Sequence, residues 1–106
     1  MNSEIEEAFR RIETSHKSVI GVVAATEDGN VIKSTLSDSK DSSQNYANII
    51  ADIVEKARMA LKDKQESASD ELTYLKIRTK RMEFIVIPDK EYLLIALLNP
   101  TVESTA

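Results

Sequence analysis

The chain has no cysteine, one histidine, two glycines and two prolines among its 106 residues. Each scarcity excludes a class of chemistry. Without cysteine there is neither a disulfide framework nor a thiolate metal site, and nothing points to secretion. His16, alone, does not assemble a familiar zinc site. A serine triad would have to rely on this same histidine, which sits in a polar break beside Lys17 with nothing nearby to orient it. With Gly21 and Gly29 the only glycines, neither G-x-x-x-x-G-K-[ST] nor G-x-G-x-x-G can be written, so phosphate-cradling loops are excluded. No apolar run approaches the ~18 residues needed to span a bilayer. The start, Met1 to Glu7, is acidic and lacks the basic and apolar regions of a signal peptide. A net charge of −4 argues against a general binder of nucleic-acid backbones. The expectation is one domain over residues 1–106, without cofactor, metal, nucleic acid or membrane insertion, in the cytoplasm or a space continuous with it.

Hydrophobic residues make up 42% of the chain and charged ones 30%, an ordinary globular balance. A domain of this length buries roughly 65% of the surface its unfolded form exposes. The strongest structural signal is Tyr92 to Leu98, apolar at every position and bounded by Pro88-Asp89-Lys90-Glu91 and Asn99-Pro100. A strand covered on both faces reads as a continuous apolar run, whereas a half-wet one alternates. This stretch and Val19 to Ala25 are therefore expected to be central strands. Thr26 to Asn30 is a turn in which Gly29 supplies positive φ, and Val31 to Ser34 is a short partner toward an edge. Leu72 to Thr79 alternates, as an antiparallel strand near an edge does. Lys80-Arg81 forms a hairpin tip, and Met82 to Ile87 returns.

Two helices complete the pattern. In residues 3–14, Ile5, Ala8, Phe9 and Ile12 form one apolar stripe, Ser3 with Glu6 makes a capping box, and Glu4, Glu6 and Glu7 suit the positive helix start. The second helix runs from Ser43 to about Asp63, with Asp41 and Gln44, or Ser42 and Ser43, as capping candidates. Its apolar residues Tyr46, Ala47, Ile49, Ile50, Ile53, Val54, Ala57, Ala60 and Leu61 cover an arc of roughly 160°, where one sheet face needs little more than ~100°. The surplus predicts a second surface to cover. An unprotected edge strand also invites pairing with another chain, and together these features predict a homodimer.

No catalytic constellation emerges. The basic set Lys76, Arg78, Lys80 and Arg81 reads either as protection of an edge strand or as a docking patch for an acidic partner. Tyr46, Tyr74 and Tyr92 are spread over three elements and read as core or interface residues rather than a base-stacking platform. The residues alone describe a non-enzymatic interaction module.

The stretches Leu72-Thr73-Tyr74-Leu75-Lys76-Ile77-Arg78-Thr79-Lys80-Arg81, Glu83-Phe84-Ile85-Val86-Ile87-Pro88-Asp89-Lys90-Glu91-Tyr92 and Leu97-Leu98-Asn99-Pro100-Thr101 resemble the roadblock family of dynein light chains. So do Gly21-Val22-Val23, Glu27-Asp28-Gly29 and Ile32-Lys33-Ser34-Thr35 in the first hairpin, and Tyr46-Ala47 with Lys56-Ala57-Arg58 in the long helix. The resemblance runs from about residue 4 to 101. It implies an α/β (α+β sandwich) fold: a five-stranded antiparallel sheet with a long helix on one face, in the order α-β-β-α-β-β-β. It also implies a homodimer through the long helices and the Leu72–Thr79 strands. The interface candidates are Ile50, Ile53, Val54, Ala57 and Leu61 on the helix and Tyr74, Leu75, Lys76 and Ile77 on the strand. The implied role is that of a non-catalytic dynein subunit whose dimer binds the intermediate chain, in the cytoplasm and cytoskeleton or the axoneme. The wider superfamily includes binders and regulators of small Ras-like GTPases, which is the rival expectation. The loop Leu36 to Ser43 and the connection Gln65 to Asp70 depart from shorter relatives.

Overall fold

The computed structural model of the chain describes residues 2–15, 18–36, 40–64, 71–89 and 91–99. The elements are α1 (Asn2–Ser15), β1 (Val19–Ala25), β2 (Val31–Ser34), α2 (Lys40–Lys64), β3 (Leu75–Arg78), β4 (Glu83–Pro88) and β5 (Leu93–Leu98). They form one antiparallel sheet in the order β2-β1-β5-β4-β3. The two continuous apolar runs become β1 and β5, which lie side by side at the centre. All six residues of β5 are buried, as expected for a strand covered on both faces.

Alternate residues of these two strands serve two cores. Val23, Leu93, Ile95 and Leu97 pack with Val86 against Ile50, Ala51 and Val54 of α2. Val22, Ala24, Leu94 and Tyr92 pack against Ile5 and Phe9 of α1. The long helix therefore covers one face, as expected, and α1 covers the other. Lys33 links β2 to α1, 3.3 Å from Glu6 and 5.5 Å above the Phe9 ring.

The β1–β2 turn closes with Gly29 at φ 93°. The Gly29 amide donates to the Thr26 carbonyl at 2.9 Å, and the Thr26 amide donates to Asn30 at 2.8 Å. The start of α2 is fixed to this hairpin by side chains. Gln44 donates to the Gly29 carbonyl and accepts from the Val31 amide at 3.3 Å. The buried Ser43 hydroxyl lies 2.7 Å from that of Ser34. Among the capping candidates, Ser43 and Gln44 thus tie helix to sheet, because α2 begins earlier, at Lys40. The helix α1 likewise begins at Asn2, ahead of the expected Ser3.

The third strand is shorter than the expected Leu72–Thr79 and covers only Leu75–Arg78. In the hairpin, β3 residues Leu75 to Arg78 face Val86 to Glu83. Continuing that register would set Tyr74 and Thr73 against Ile87 and Pro88, where β4 ends. At the other end the Thr79 amide donates to the Met82 carbonyl at 2.8 Å and closes the hairpin. His16, the Ser37–Ser39 part of the polar loop and the Gln65–Asp70 connection lie outside the described residues.

Candidate protein interface

One flank of α2 carries the surplus apolar surface inferred from its wide arc. Ile50 and Val54 are each 2% exposed and belong to the core beneath the helix. These two interface candidates are therefore consumed by the protomer's own sheet, which corrects their assignment to a partner surface. Their neighbours behave differently. Ile49 is 56% exposed, Ile53 and Ala57 are half-buried, and Ala60 and Leu61 are exposed. At 100° per residue, Ile49, Ile53, Ala57 and Ala60 fall on one side of the sheet-facing row, with Leu61 near its centre line. Ile49 was absent from the interface candidates although it lay within the apolar arc. Only the rotation of the helix about its axis reveals it.

The same side of the sheet continues past the helix. Tyr46 meets Phe84 of β4 with ring centroids 5.6 Å apart. Leu75 and Ile77 of β3, opposite Val86 and Phe84, are half-buried and pack at the margin of this core. Lys76 points to the opposite face and is exposed. Tyr74, just ahead of β3, is 59% exposed. The sheet ends at β3, whose outer edge has no neighbouring strand among the described residues. The structure thus gathers Ile53, Ala57, Leu75 and Ile77 on one side of the molecule, beside an open edge.

The three tyrosines do not form a platform. Tyr46 lies against Phe84, Tyr92 sits in the α1 core, and Tyr74 stands in solvent. Burial raises the Tyr92 phenol above its ordinary value, and Asp89, through its charge and a hydrogen bond, raises it further.

A recess of about 340 Å³ lies on the other side of α2, lined by Glu27, Asp28, Ala51, Val54, Glu55, Arg58, Met59 and Leu93. Its one guanidinium is 3.2 Å from Glu27. Its lining sets three carboxylates, of Glu27, Asp28 and Glu55, beside that guanidinium, with no hydroxyl, amine or imidazole side chain among them. Among the described residues no group of three or more histidines or carboxylates could hold a metal ion, and no helix is long and apolar enough to cross a membrane.

Sequence reasoning also missed a buried acid. Glu83, 6% exposed, has Oε2 3.5 Å from Lys76 Nζ and 3.4 Å from Arg78 Nε. The signal was present in the hairpin register, which sets Arg78 opposite Glu83, but alternation alone does not say which charges will be covered.

Solved structures with this architecture include a Roadblock/LC7 domain from Streptomyces avermitilis, 14% identical, with a TM-score of 0.68 over 77% of this chain and 67% of that one. A gliding protein, MglB, from Thermus thermophilus is 15% identical, with a TM-score of 0.70 over 90% and 70%. MglB in a tetrameric arrangement is 14% identical, with a TM-score of 0.72 over 93% and 73%. At these identities the likeness is one of fold. The sequence itself matches the Roadblock/LC7 domain over residues 4–99. The chain belongs to the Roadblock/LC7 domain family.

Proposed function

We propose that this chain is a non-catalytic roadblock-type scaffold that works as a homodimer, and that it serves as an accessory light chain of a dynein motor, holding the intermediate chain in the cytoplasm on microtubules. The observation that carries the dimer is the exposed apolar row of α2 beside the open edge of β3. Ile49, Ile53 and Ala57 would meet the same row of a second copy, while β3 would pair with its counterpart and extend the sheet. Burying such a row recovers about 25 cal/mol for each Å² removed from water. An edge left unpaired is a standing template for association. MglB, a relative in fold, is described in a tetrameric arrangement, which is in keeping with association through this domain. The finer reading rests on the segments around Leu75-Lys76-Ile77-Arg78 and Pro88-Asp89-Lys90-Glu91-Tyr92, which resemble dynein light chains.

Two measurements test this. Light scattering after size exclusion should give twice the protomer mass for the natural chain. The Ile49→Glu variant, altered where the side chain is already wet, should give a folded monomer. A monomeric natural chain, or an undisturbed dimer in the variant, defeats the placement. Tagged protein recovered from its native cells should bring down a dynein intermediate chain with its heavy chain. Recovery of a small GTPase without motor subunits would instead move the chain to the GTPase-scaffold branch of the family.

A further inference from the structure

The sheet face that α1 occupies extends beyond the helix, under β3 and β4. Register fixes what it presents. Val22, which packs under α1, lies opposite Ala96. Ala96 lies opposite Ile85, and Leu98 and Leu94 lie opposite Glu83 and Ile87. Across the next pair, Lys76 lies opposite Ile85 and Arg78 opposite Glu83. Directly opposed residues share a face, so Lys76, Arg78, Glu83, Ile85 and Ile87 all point to the α1 side. Lys76 and Arg78 keep about half of their side-chain surface in solvent, at 54% and 52%, while the Glu83 side chain beneath them keeps 8%. Ile87 is 38% exposed. The two cations stand about 7 Å apart along the strand, with the isoleucines on the neighbouring strand.

Protection of an edge strand requires only exposed charge and does not account for the buried acid. Burying a carboxylate costs desolvation that its partners must offset, and one acid under two cations leaves a positive charge over. What Glu83 does is hold both cations against the sheet face, in fixed places. The chain as a whole carries −4, and α1 brings Glu4, Glu6, Glu7 and Glu13 to this side of the sheet against Arg10 and Arg11. An extended polyanion such as nucleic acid or an anionic membrane is repelled by that surrounding field. A short acidic peptide avoids most of it. Its carboxylates can reach the two cations while its apolar side chains cover the isoleucines.

We propose that the α1-side face of β3 and β4 docks an acidic helical segment of a partner protein, which presents a row of carboxylates beside a row of apolar side chains on one face. The carboxylates seat on Lys76 and Arg78, and the apolar groups lie over Ile85 and Ile87. The surface is complete within one protomer and depends neither on dimer formation nor on which complex the chain joins.

The probe is a fluorescein-labelled helical peptide with glutamates at i and i+4 and isoleucines at i+3 and i+7, which share one face, titrated into the isotopically labelled full chain. Amide shifts should centre on residues 76–78 and 83–87. A matched peptide with lysine for glutamate should bind about tenfold more weakly or worse, and raising salt from about 50 to 300 mM should weaken the glutamate peptide several-fold. Replacing Lys76→Gln, Arg78→Gln and Glu83→Gln together removes the cations without stranding the acid, and should lower affinity by about tenfold or more. The single Lys76→Gln variant leaves the Arg78–Glu83 pair in place and should lower it by about threefold or more. Lys80→Gln with Arg81→Gln, at the tip of the hairpin, should change it by less than about twofold. Undiminished binding in the folded triple and single variants overturns the proposal. So do shifts centred elsewhere, equal binding of the lysine peptide, or binding of phosphatidylserine vesicles in preference to the peptide.

Discussion

At Gly29 the backbone φ is 93°, in the region that side-chain-bearing residues rarely adopt. A Cβ there would also stand 3.0 Å from Asn48 Oδ1 and 3.3 Å from Asn48 Cα. Gly29→Ala is expected to lower stability by about 1–2 kcal/mol, read from the denaturant midpoint. Gly21 is constrained by space instead. An added Cβ would overlap Leu36 Cδ2 and lie 2.9 Å from its Cγ, so the leucine would have to leave its place at the margin of the α2 core. The Ser18 hydroxyl is buried and has no hydrogen-bond partner among the described residues. Because an unmet buried hydroxyl has already lost its water, Ser18→Ala should be neutral or stabilise by up to about 1 kcal/mol in thermal unfolding. Tyr92 gives the chain an alkaline limit. Its phenol is raised, first by burial and then by Asp89, above the ordinary value of 10.0. The folded form therefore keeps its proton where the unfolded form releases it. The contribution to stability is complete below pH 10.0 and is lost as pH rises through the raised value. In Tyr92→Phe that part of the alkaline slope should vanish, as a denaturation series across this pH range would show.

The sequence made some elements legible and left others ambiguous. The run Leu93 to Leu98 announced a doubly covered strand because no position could tolerate water. The gap at Asp28-Gly29 marked a turn because few other residues accept its geometry. The stripe Ile5, Ala8, Phe9 and Ile12 announced a helix but not the sheet face it would cover, since both faces of β1 are apolar. The apolar arc of α2 was visible too, yet its orientation was not. Ile50 and Val54 face the sheet and Ile49 faces outward because Ser43 and Gln44 clamp the first turns to β2 and the Gly29 turn, a contact between residues 9 to 15 positions apart. Periodicity carries no information about such long-range clamps. Gln44→Ala should therefore cost about 1–2 kcal/mol, since it strands the Val31 amide and the Gly29 carbonyl. The loss should appear in chemical denaturation and should exceed that from removing the exposed Lys56–Asp52 pair, an i,i+4 contact at 2.9 Å that contributes only ~0.5 kcal/mol. The burial of Glu83 belongs to the same illegible class, because it depends on strand pairing and not on any local pattern.

At the scale of the whole molecule, the proposed dimer makes stability a property of concentration. A folded state that binds a second copy gains free energy by mass action, so the thermal midpoint of the natural chain should rise with protein concentration. That of Ile49→Glu should stay flat across the same series, and parallel curves would count against the seam. The sheet itself is unevenly supported. The strands β1 and β5 have neighbours on both edges, and both helices pack on the pair, one on each face. The hairpin β3–β4 is hydrogen-bonded to the rest of the sheet through β5 alone and meets α2 at its margin, through Val86 and Phe84. In amide hydrogen exchange, β1 and β5 should be the last to trade their protons, while β3–β4 should open earlier and as one cooperative unit. Both proposed contacts fall on that hairpin, one along its outer edge and the other across its α1-side face. Whatever binds there would therefore hold closed the hairpin expected to open ahead of β1 and β5. Occupancy should be readable as exchange slowed at 75–78 and 83–88, even where the average structure does not move.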